Sequence, residues 1–158
     1  PVTKKYIGQH RRHGGVPYGN VWRQRYTMTT NASGVIVDSD QATAVLINDV
    51  VRLGIIDGGI ELQNAEAIIS DAFAASTTCK IGFQYVDGVD SASVPQNDAF
   101  FFSAGTVLSS AARLVNSATA APVVLPKDAY LILTNAGANH SAVGTLDVIV
   151  TGQVVGTP

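Results

Sequence analysis

The sequence predicts an all-β protein, a β-sandwich or jelly roll with an extended basic N-terminal arm. Three observations predict this fold class. Short runs of alternating apolar and polar residues recur along the chain, turn clusters rich in Gly, Asn and Asp separate them at close intervals, and basic residues are concentrated at the beginning. A chain of 158 residues suffices for one domain with its own core. We therefore predict an arm, residues 1–25, and a single β domain, residues 26–158.

The arm is defined by its charge. The chain has ten basic and twelve acidic residues, and six of the basic ones precede the first acidic residue, Asp38. Four basic and twelve acidic residues remain, so an arm of +6 is joined to a body of −8. Interspersed Gly and Pro residues predict an extended segment that is ordered by docking. The six basic residues are Lys4, Lys5, Arg11, Arg12, Arg23 and Arg25.

Two other interpretations of the arm fit its composition. Aromatic residues among glycines and arginines can stack on bases, which makes single-stranded nucleic-acid binding one alternative. No recognisable nucleic-acid-binding module is present, however, and the acidic body would repel phosphate. A disordered tail is the other alternative, but Trp22 and the nearby tyrosines argue that part of the arm is buried. We therefore expect the arm to contact protein, not nucleic acid.

The first part of the body predicts strands joined by turns. Residues 25–30 alternate in polarity, and Asn31–Gly34 is a turn cluster before a short strand at residues 35–37. Residues 49–56 are β-branched and apolar and form the next strand. It ends at Asp57-Gly58-Gly59, where two glycines supply the positive φ angles of a tight turn, and a new strand begins at Ile60.

Residues 61–73 are compatible with a helix or a strand. Their Ala and Glu content favours a helix, and four apolar residues share one helical face: Leu62, Ala65, Ile69 and Phe73. We predict a strand, which requires a β-bulge near Asn64 because the apolar positions change phase there. Residues 77–86 give the cleanest strand of the chain, which ends at Asp87-Gly88 and has four residues on one apolar face: Cys79, Ile81, Phe83 and Tyr85.

The last part of the chain begins with a long loop around residues 90–98. In the run that follows, alternation buries Phe100 and Phe102 and leaves Phe101 outside as an interface candidate. The small-residue stretch up to Ala121 predicts no defined element. The remaining predicted elements are a strand at 122–125, a turn at 126–128, a strand at 129–134, a loop at 135–137 and a strand at 146–155 with one polar face.

No residue pattern predicts catalysis, a cofactor or a metal site. His10 and His13 lie in a glycine-rich segment without nearby carboxylates, and the Asp38 region lacks the glycine and glutamate of a calcium loop. We expect His140 to be a solvated loop histidine, and Cys79, the single cysteine, to be a small buried apolar residue. No stretch approaches the roughly 20 apolar residues of a membrane helix, and no signal peptide is visible, so we expect neither a membrane partner nor export.

Three segments together carry a resemblance to a known family: VVRLGIIDGGIELQNAEAIISDAFAASTTCKIGFQYVDGVD (Val50 to Asp90), VVLPKDAYLILTNAG and GTLDVIVTGQVVG. From Asp49 to the C-terminus the chain resembles small head proteins of tailed bacteriophages, the β-sandwich or jelly-roll cement, or decoration, proteins of capsid shells. The resemblance lies in the succession of strands, glycine turns and small residues.

The resemblance implies a non-enzymatic virion protein, made in the host cytoplasm, that binds the outside of the major capsid protein lattice and stabilises the expanded head. It implies the major capsid protein as a partner. The low charged fraction of 14% and the arm also favour self-association as a homodimer or homotrimer. Two alternatives remain: a phage fibre or receptor-binding β-sandwich, and an internal nucleic-acid-binding head protein.

For the contacts with the capsid we predict aromatic and arginine residues of the arm. Trp, Tyr and Arg are enriched at interface hot spots, because they bury a large area or make several hydrogen bonds. The predicted contact residues are Tyr6, Arg11, Arg12, Tyr18, Trp22 and Arg23.

Overall fold

Ten β-strands and no helix form the described part of the chain, which comprises residues 2–3 and 20–156 of a computed structural model. The predicted all-β class is therefore confirmed. The strands are β1 (Val2–Thr3), β2 (Val21–Thr30), β3 (Val50–Ile56), β4 (Ile60–Asp71), β5 (Thr78–Tyr85), β6 (Asn97–Val107), β7 (Ala112–Val115), β8 (Val123–Val124), β9 (Ala129–Ala136) and β10 (Gly144–Val154).

The strands form two facing sheets. The first has the order β1-β3-β9-β5-β6, and the second has the order β2-β10-β4-β7, with the short β8 also paired to β4. Every pairing is antiparallel except that of β1 with β3. Without the two-residue strands β1 and β8, the sheets 3-9-5-6 and 2-10-4-7 form an eight-stranded jelly roll.

The core fills the space between the sheets with residues from alternate strand positions. β10 shows the pattern most clearly, because Leu146, Val148 and Val150 are fully buried while the residues between them are half-buried. The predicted inward face of β5 is confirmed in the same way, since its four residues, Cys79, Ile81, Phe83 and Tyr85, are all at most 1% exposed. Burial of this apolar surface is the main favourable term in folding.

β4 settles the ambiguous segment as a strand. Its pairing with β10 shifts between Thr151, opposite Asn64, and Gly152, opposite Leu62, which leaves Gln63 as the extra residue of a bulge. The predicted bulge near Asn64 is thus confirmed. It turns Ala65, Ala67 and Ile69 back toward the core, where each is at most 2% exposed.

β6 confirms the predicted burial of Phe102, which is 4% exposed, and contradicts the predicted orientations of Phe100 and Phe101. Phe101 is 1% exposed and belongs to the core, whereas Phe100 is only half-buried. The cause is an irregular register with β5: Ile81 pairs with Phe102 and Phe83 pairs with Asn97, so a step of two residues along β5 corresponds to five along β6. Strict alternation is lost there, and consecutive Phe side chains are buried. Phe101 is therefore not an interface residue.

Other segments also differ from expectation. Residues 35–37 form no strand, only an isolated bridge between Thr30 and Ile36, because the Asn31 carboxamide accepts hydrogen bonds from two turn amides. In the turn after β3 only Gly59 has a positive φ, of 81°. β9 continues through the predicted loop to Ala136, and the unassigned small-residue stretch contains β7. β2 begins at Val21, within the residues that the sequence assigned to the arm.

Candidate interaction surface

β2 is an edge strand with one buried and one exposed face. Trp22, Tyr26 and Met28 point into the core, while Arg23 and Arg25 are exposed on the outer face. β10 pairs with one side of β2, and no described strand pairs with the other. Thr29 and Thr30 at its end already pair with residues 36 and 37, and the part of the edge before them presents backbone donors and acceptors to another chain. The Tyr26 hydroxyl fixes β2 to the first sheet by donating to the Ile55 carbonyl at 2.9 Å.

The two arginines of β2 differ in their electrostatic environment. Arg25 Nε lies 3.8 Å from Asp147 Oδ1 on the neighbouring strand, and the Thr27 hydroxyl donates to the same carboxylate. Arg23 faces Thr151 instead, and no carboxylate of the described residues lies within 4 Å of it. Arg23 is therefore an exposed positive charge available to a partner.

The predicted contact residues fall into three groups. Arg23 lies on the exposed face of β2. Trp22 is 8% exposed, and its side chain packs in the core cluster beneath that face. The other four predicted contacts, Tyr6, Arg11, Arg12 and Tyr18, lie outside the described residues. The alternation of Trp22, Tyr26 and Met28 with polar neighbours is the sequence signal that separates core from surface on β2.

A second unpaired arginine was missed by sequence reasoning. The described residues contain six Lys or Arg side chains, and four of them lie within 4 Å of a carboxylate: Arg25, Lys80, Arg113 and Lys127. The two exceptions are Arg23 and Arg52. Arg52 is half-buried on β3, where its guanidinium carbon lies 4.6 Å from the centre of the Tyr130 ring. Strand pairing places Ile132 beside Arg52, and none of the ion pairs among the described residues includes Arg52. Periodicity in the sequence does not show this.

Burial shifts the pKa values of two titratable residues in the interior, His140 and Cys79. His140 is 1% exposed, so the prediction of a solvated histidine is wrong; burial lowers the pKa of its imidazole to about 4. Burial likewise raises the pKa of the Cys79 thiol to about 12. Within residues 2–3 and 20–156, no group of three or more His, Cys, Asp or Glu side chains is placed to hold a metal ion. The same residues include no helix of the length and apolarity needed to cross a membrane.

Comparison with known proteins finds solved structures that are similar to this chain in fold. No protein-family model matches the chain, and no curated protein matches it in sequence. A chain in the capsid of Ralstonia phage GP4 aligns with a TM-score of 0.62 and 16% identity, over 99% of this chain and 98% of that one. A chain in the cyanophage Pam1 capsid asymmetric unit aligns with a TM-score of 0.58 and 14% identity, over 92% and 95%. The chain therefore shares its fold, over nearly its whole length, with chains found in phage capsids.

Proposed function

We propose that the chain is a phage capsid decoration, or cement, protein that binds the outside of the major capsid protein lattice and stabilises the expanded head. The observation that carries the proposal is Arg23, an exposed and unpaired charge on an edge strand that directly follows the basic part of the sequence. The fold shared with capsid chains supports a virion structural role. The absence of a catalytic pattern in the sequence agrees with that role.

The physical basis of the function is differential binding. A protein that binds the expanded lattice and not its precursor stabilises the expanded state by mass action. In this proposal the exposed face of β2 supplies a rigid contact, and the arm adds area at the entropic cost of ordering it. Arg23 and the arm residues Tyr6, Arg11, Arg12 and Tyr18 make the contacts, while Trp22 fixes the beginning of β2 in the core.

The test is co-sedimentation of the full-length protein with expanded and unexpanded shells of the parent phage, at low and moderate salt. The variant is R11S/R12S/R23S, which keeps the chain intact. Deleting residues 1–25 would instead remove half of β2 and the buried Trp22. The matched control is R113S, because Arg113 is exposed but already paired with Glu66 at 2.6 Å.

We expect stoichiometric binding of the wild type to expanded shells only. The triple variant should bind about tenfold or more weakly, and the R113S control should bind like the wild type. Failure of the wild type to bind either shell would refute the decoration role. We further propose self-association as a homodimer or homotrimer, which sedimentation velocity of the free protein measures directly.

A further inference from the structure

The outer face of the first sheet contains a groove with two buried polar atoms that have no hydrogen-bond partner among the described residues. Across β3, β9 and β5, one row of outward residues is Val50, Thr134 and Lys80, and the next is Arg52, Ile132 and Gly82. Thr134 is 9% exposed and Ile132 4% exposed, although both point away from the core. Something other than the opposite sheet therefore covers them.

The cover on one side is the irregular beginning of β6. Its backbone at residues 97–99 lies over Gly82, so closely that a Cβ there would stand 2.0 Å from the Asn97 carbonyl oxygen. Asp98 from this segment forms an ion pair with Lys80 at 2.5 Å. Between the segment and β3 remains an open hollow of about 350 Å³, with Ile132 and Thr134 on its floor. A second hollow, which shares Val50 and Gln84 with the first, extends to Arg52.

The two atoms without a partner are Arg52 Nε and Thr134 Oγ1. They belong to neighbouring rows of adjacent strands, with Thr134 in the first hollow and Arg52 in the second. An extended ligand that follows both hollows would therefore pass close to each of them. Buried polar groups in folded proteins are nearly always hydrogen-bonded, and an exception requires an explanation. Stacking on Tyr130 holds the Arg52 guanidinium in place but gives its Nε–H no acceptor.

The chemistry of the groove selects a carboxylate. The Nε–H group can only donate, the Thr134 hydroxyl can donate to another acceptor of the same ligand, and Arg52 carries a charge that no described carboxylate compensates within 4 Å. Asp49 lines the same hollow as Arg52, but its carboxylate accepts from the Leu46 amide. Lys80 is already neutralised by Asp98. The amide side chains of Gln84, Gln96 and Asn97 line the remaining wall and suit the backbone of an extended peptide.

We propose that this groove binds an Asp or Glu side chain on an extended segment of the capsid shell protein. The proposal rests on the decoration function and extends it. Arg23 lies on the outer face of the second sheet and Arg52 on that of the first, so one copy bound through both faces would bridge two neighbouring shell subunits. Such bivalent binding multiplies the two affinities through effective concentration.

The first experiment needs no capsid. Amide and arginine Nε–H signals of the ¹⁵N-labelled full-length protein are followed by NMR during titration with acetyl-Gly-Glu-Gly-amide and with its Gln counterpart. The Glu peptide should shift the Arg52 Nε–H and Thr134 signals at millimolar concentration, and the Gln peptide should bind about tenfold more weakly. The Thr134 signal of R52Q and the Arg52 Nε–H signal of T134V should each lose most of the response, because each variant removes one of the two donors, whereas R113Q should retain both responses.

Signals that stay unchanged with the Glu peptide would overturn the groove proposal, because the two atoms would then be satisfied by trapped water. The second experiment measures binding to expanded shells. R52Q should weaken binding about tenfold or more, and R113Q should not. If the wild type binds no shell while the peptide still shifts Arg52, the decoration function fails and the carboxylate site stands. If shells bind wild type and R52Q equally, the decoration function stands and the bridging proposal fails.

Discussion

His140 shows at the residue scale how the fold changes a side chain's properties. Its Nε2 lies 3.0 Å from Asn135 Oδ1, and its ring meets Phe73 edge-on with the ring centres 4.9 Å apart. The Asn135 amide donates to the Leu46 and Ala138 carbonyls, so its oxygen faces the histidine and Nε2 must carry the proton. Nδ1 is buried without a partner, and the neutral ring is therefore the stable form.

We predict that His140 makes stability depend on pH. Its pKa is about 4 in the folded chain against 6.5 normally, so the unfolded chain takes up a proton first as the pH falls. The free energy of unfolding should be unaffected by this group above pH 6.5 and should decrease by up to about 3 kcal/mol between pH 6.5 and 4. Urea denaturation of wild type and H140Q over this range measures the difference. Equal pH slopes in the two proteins would contradict the prediction.

Cys79 should be chemically inert in the folded protein. It is 0% exposed on β5, and burial holds its pKa at about 12, so the reactive thiolate is scarce. We expect no reaction with Ellman's reagent at pH 8 under native conditions and stoichiometric reaction in urea. An introduced surface cysteine, V115C, provides the control, because Val115 is 71% exposed. Rapid native labelling of the wild type would show that β5 opens readily.

At the scale of a single residue, sequence reasoning succeeded where polarity and position agreed. Cys79 was predicted to be buried and is. His140 lies in a run of Asn, Ala and Gly that suggests a loop, and its burial comes from Phe73, a residue far away in the chain. Whether Arg52 has a carboxylate nearby likewise depends on which residues the neighbouring strands place beside it. Such features arise from long-range packing, which periodicity does not encode.

At the scale of elements, β5 and β6 show the effect of a glycine at a close backbone approach. Gly82 lets residues 97–99 lie across the first sheet, and this contact sets the irregular register of β6. We predict that G82A lowers the free energy of unfolding by about 3 kcal/mol, because the added methyl group must displace backbone. The control is G88A: Gly88 has a φ of 72° and open space around it, so only about 1 kcal/mol of strain should result.

Chemical denaturation of both variants measures these effects, and equal losses would show that the close approach at Gly82 is relieved cheaply. In the NMR spectrum of G82A, the amide signals of Lys80 and Asp98 should also shift, because the ion pair of these two residues depends on the same segment.

Elements with clean alternation were predictable, and those set by partner strands were not. β3, β5 and β10 follow from their own residues, as does the bulge in β4, because the apolar positions change phase at the extra residue. β7 has no such signal; it forms because its four residues pair with β4 at the edge of the second sheet. The interface assignment of Phe101 failed for the same reason, since the register of β6 is imposed by β5.

At the scale of the whole molecule, the topology pairs an early strand, β2, with β10, the last strand of the described chain. β10 lies between β2 and β4, so the second sheet cannot form until the last strand is present. We predict that the fragment 1–143, which lacks β10, does not fold, whereas the fragment 1–156 does. Loss of Leu146, Val148 and Val150 removes the centre of one core face, and β2 loses its only described neighbour in the sheet. Dispersed amide NMR signals from fragment 1–143 would contradict this prediction.

The antiparallel pairing of β2 with β10 also determines how the domain responds to force. The chain enters β2 and leaves β10 at adjacent points, since the Val154 amide donates to the Asn20 carbonyl at 2.8 Å. Tension applied at these two points peels the strands apart and breaks their hydrogen bonds one after another instead of all at once. Load applied across the sandwich, from one outer face to the other, is instead shared by both sheets. The domain is thus weakest when Asn20 and Val154 are pulled apart, because that direction loads the hydrogen bonds of β2 and β10 one at a time.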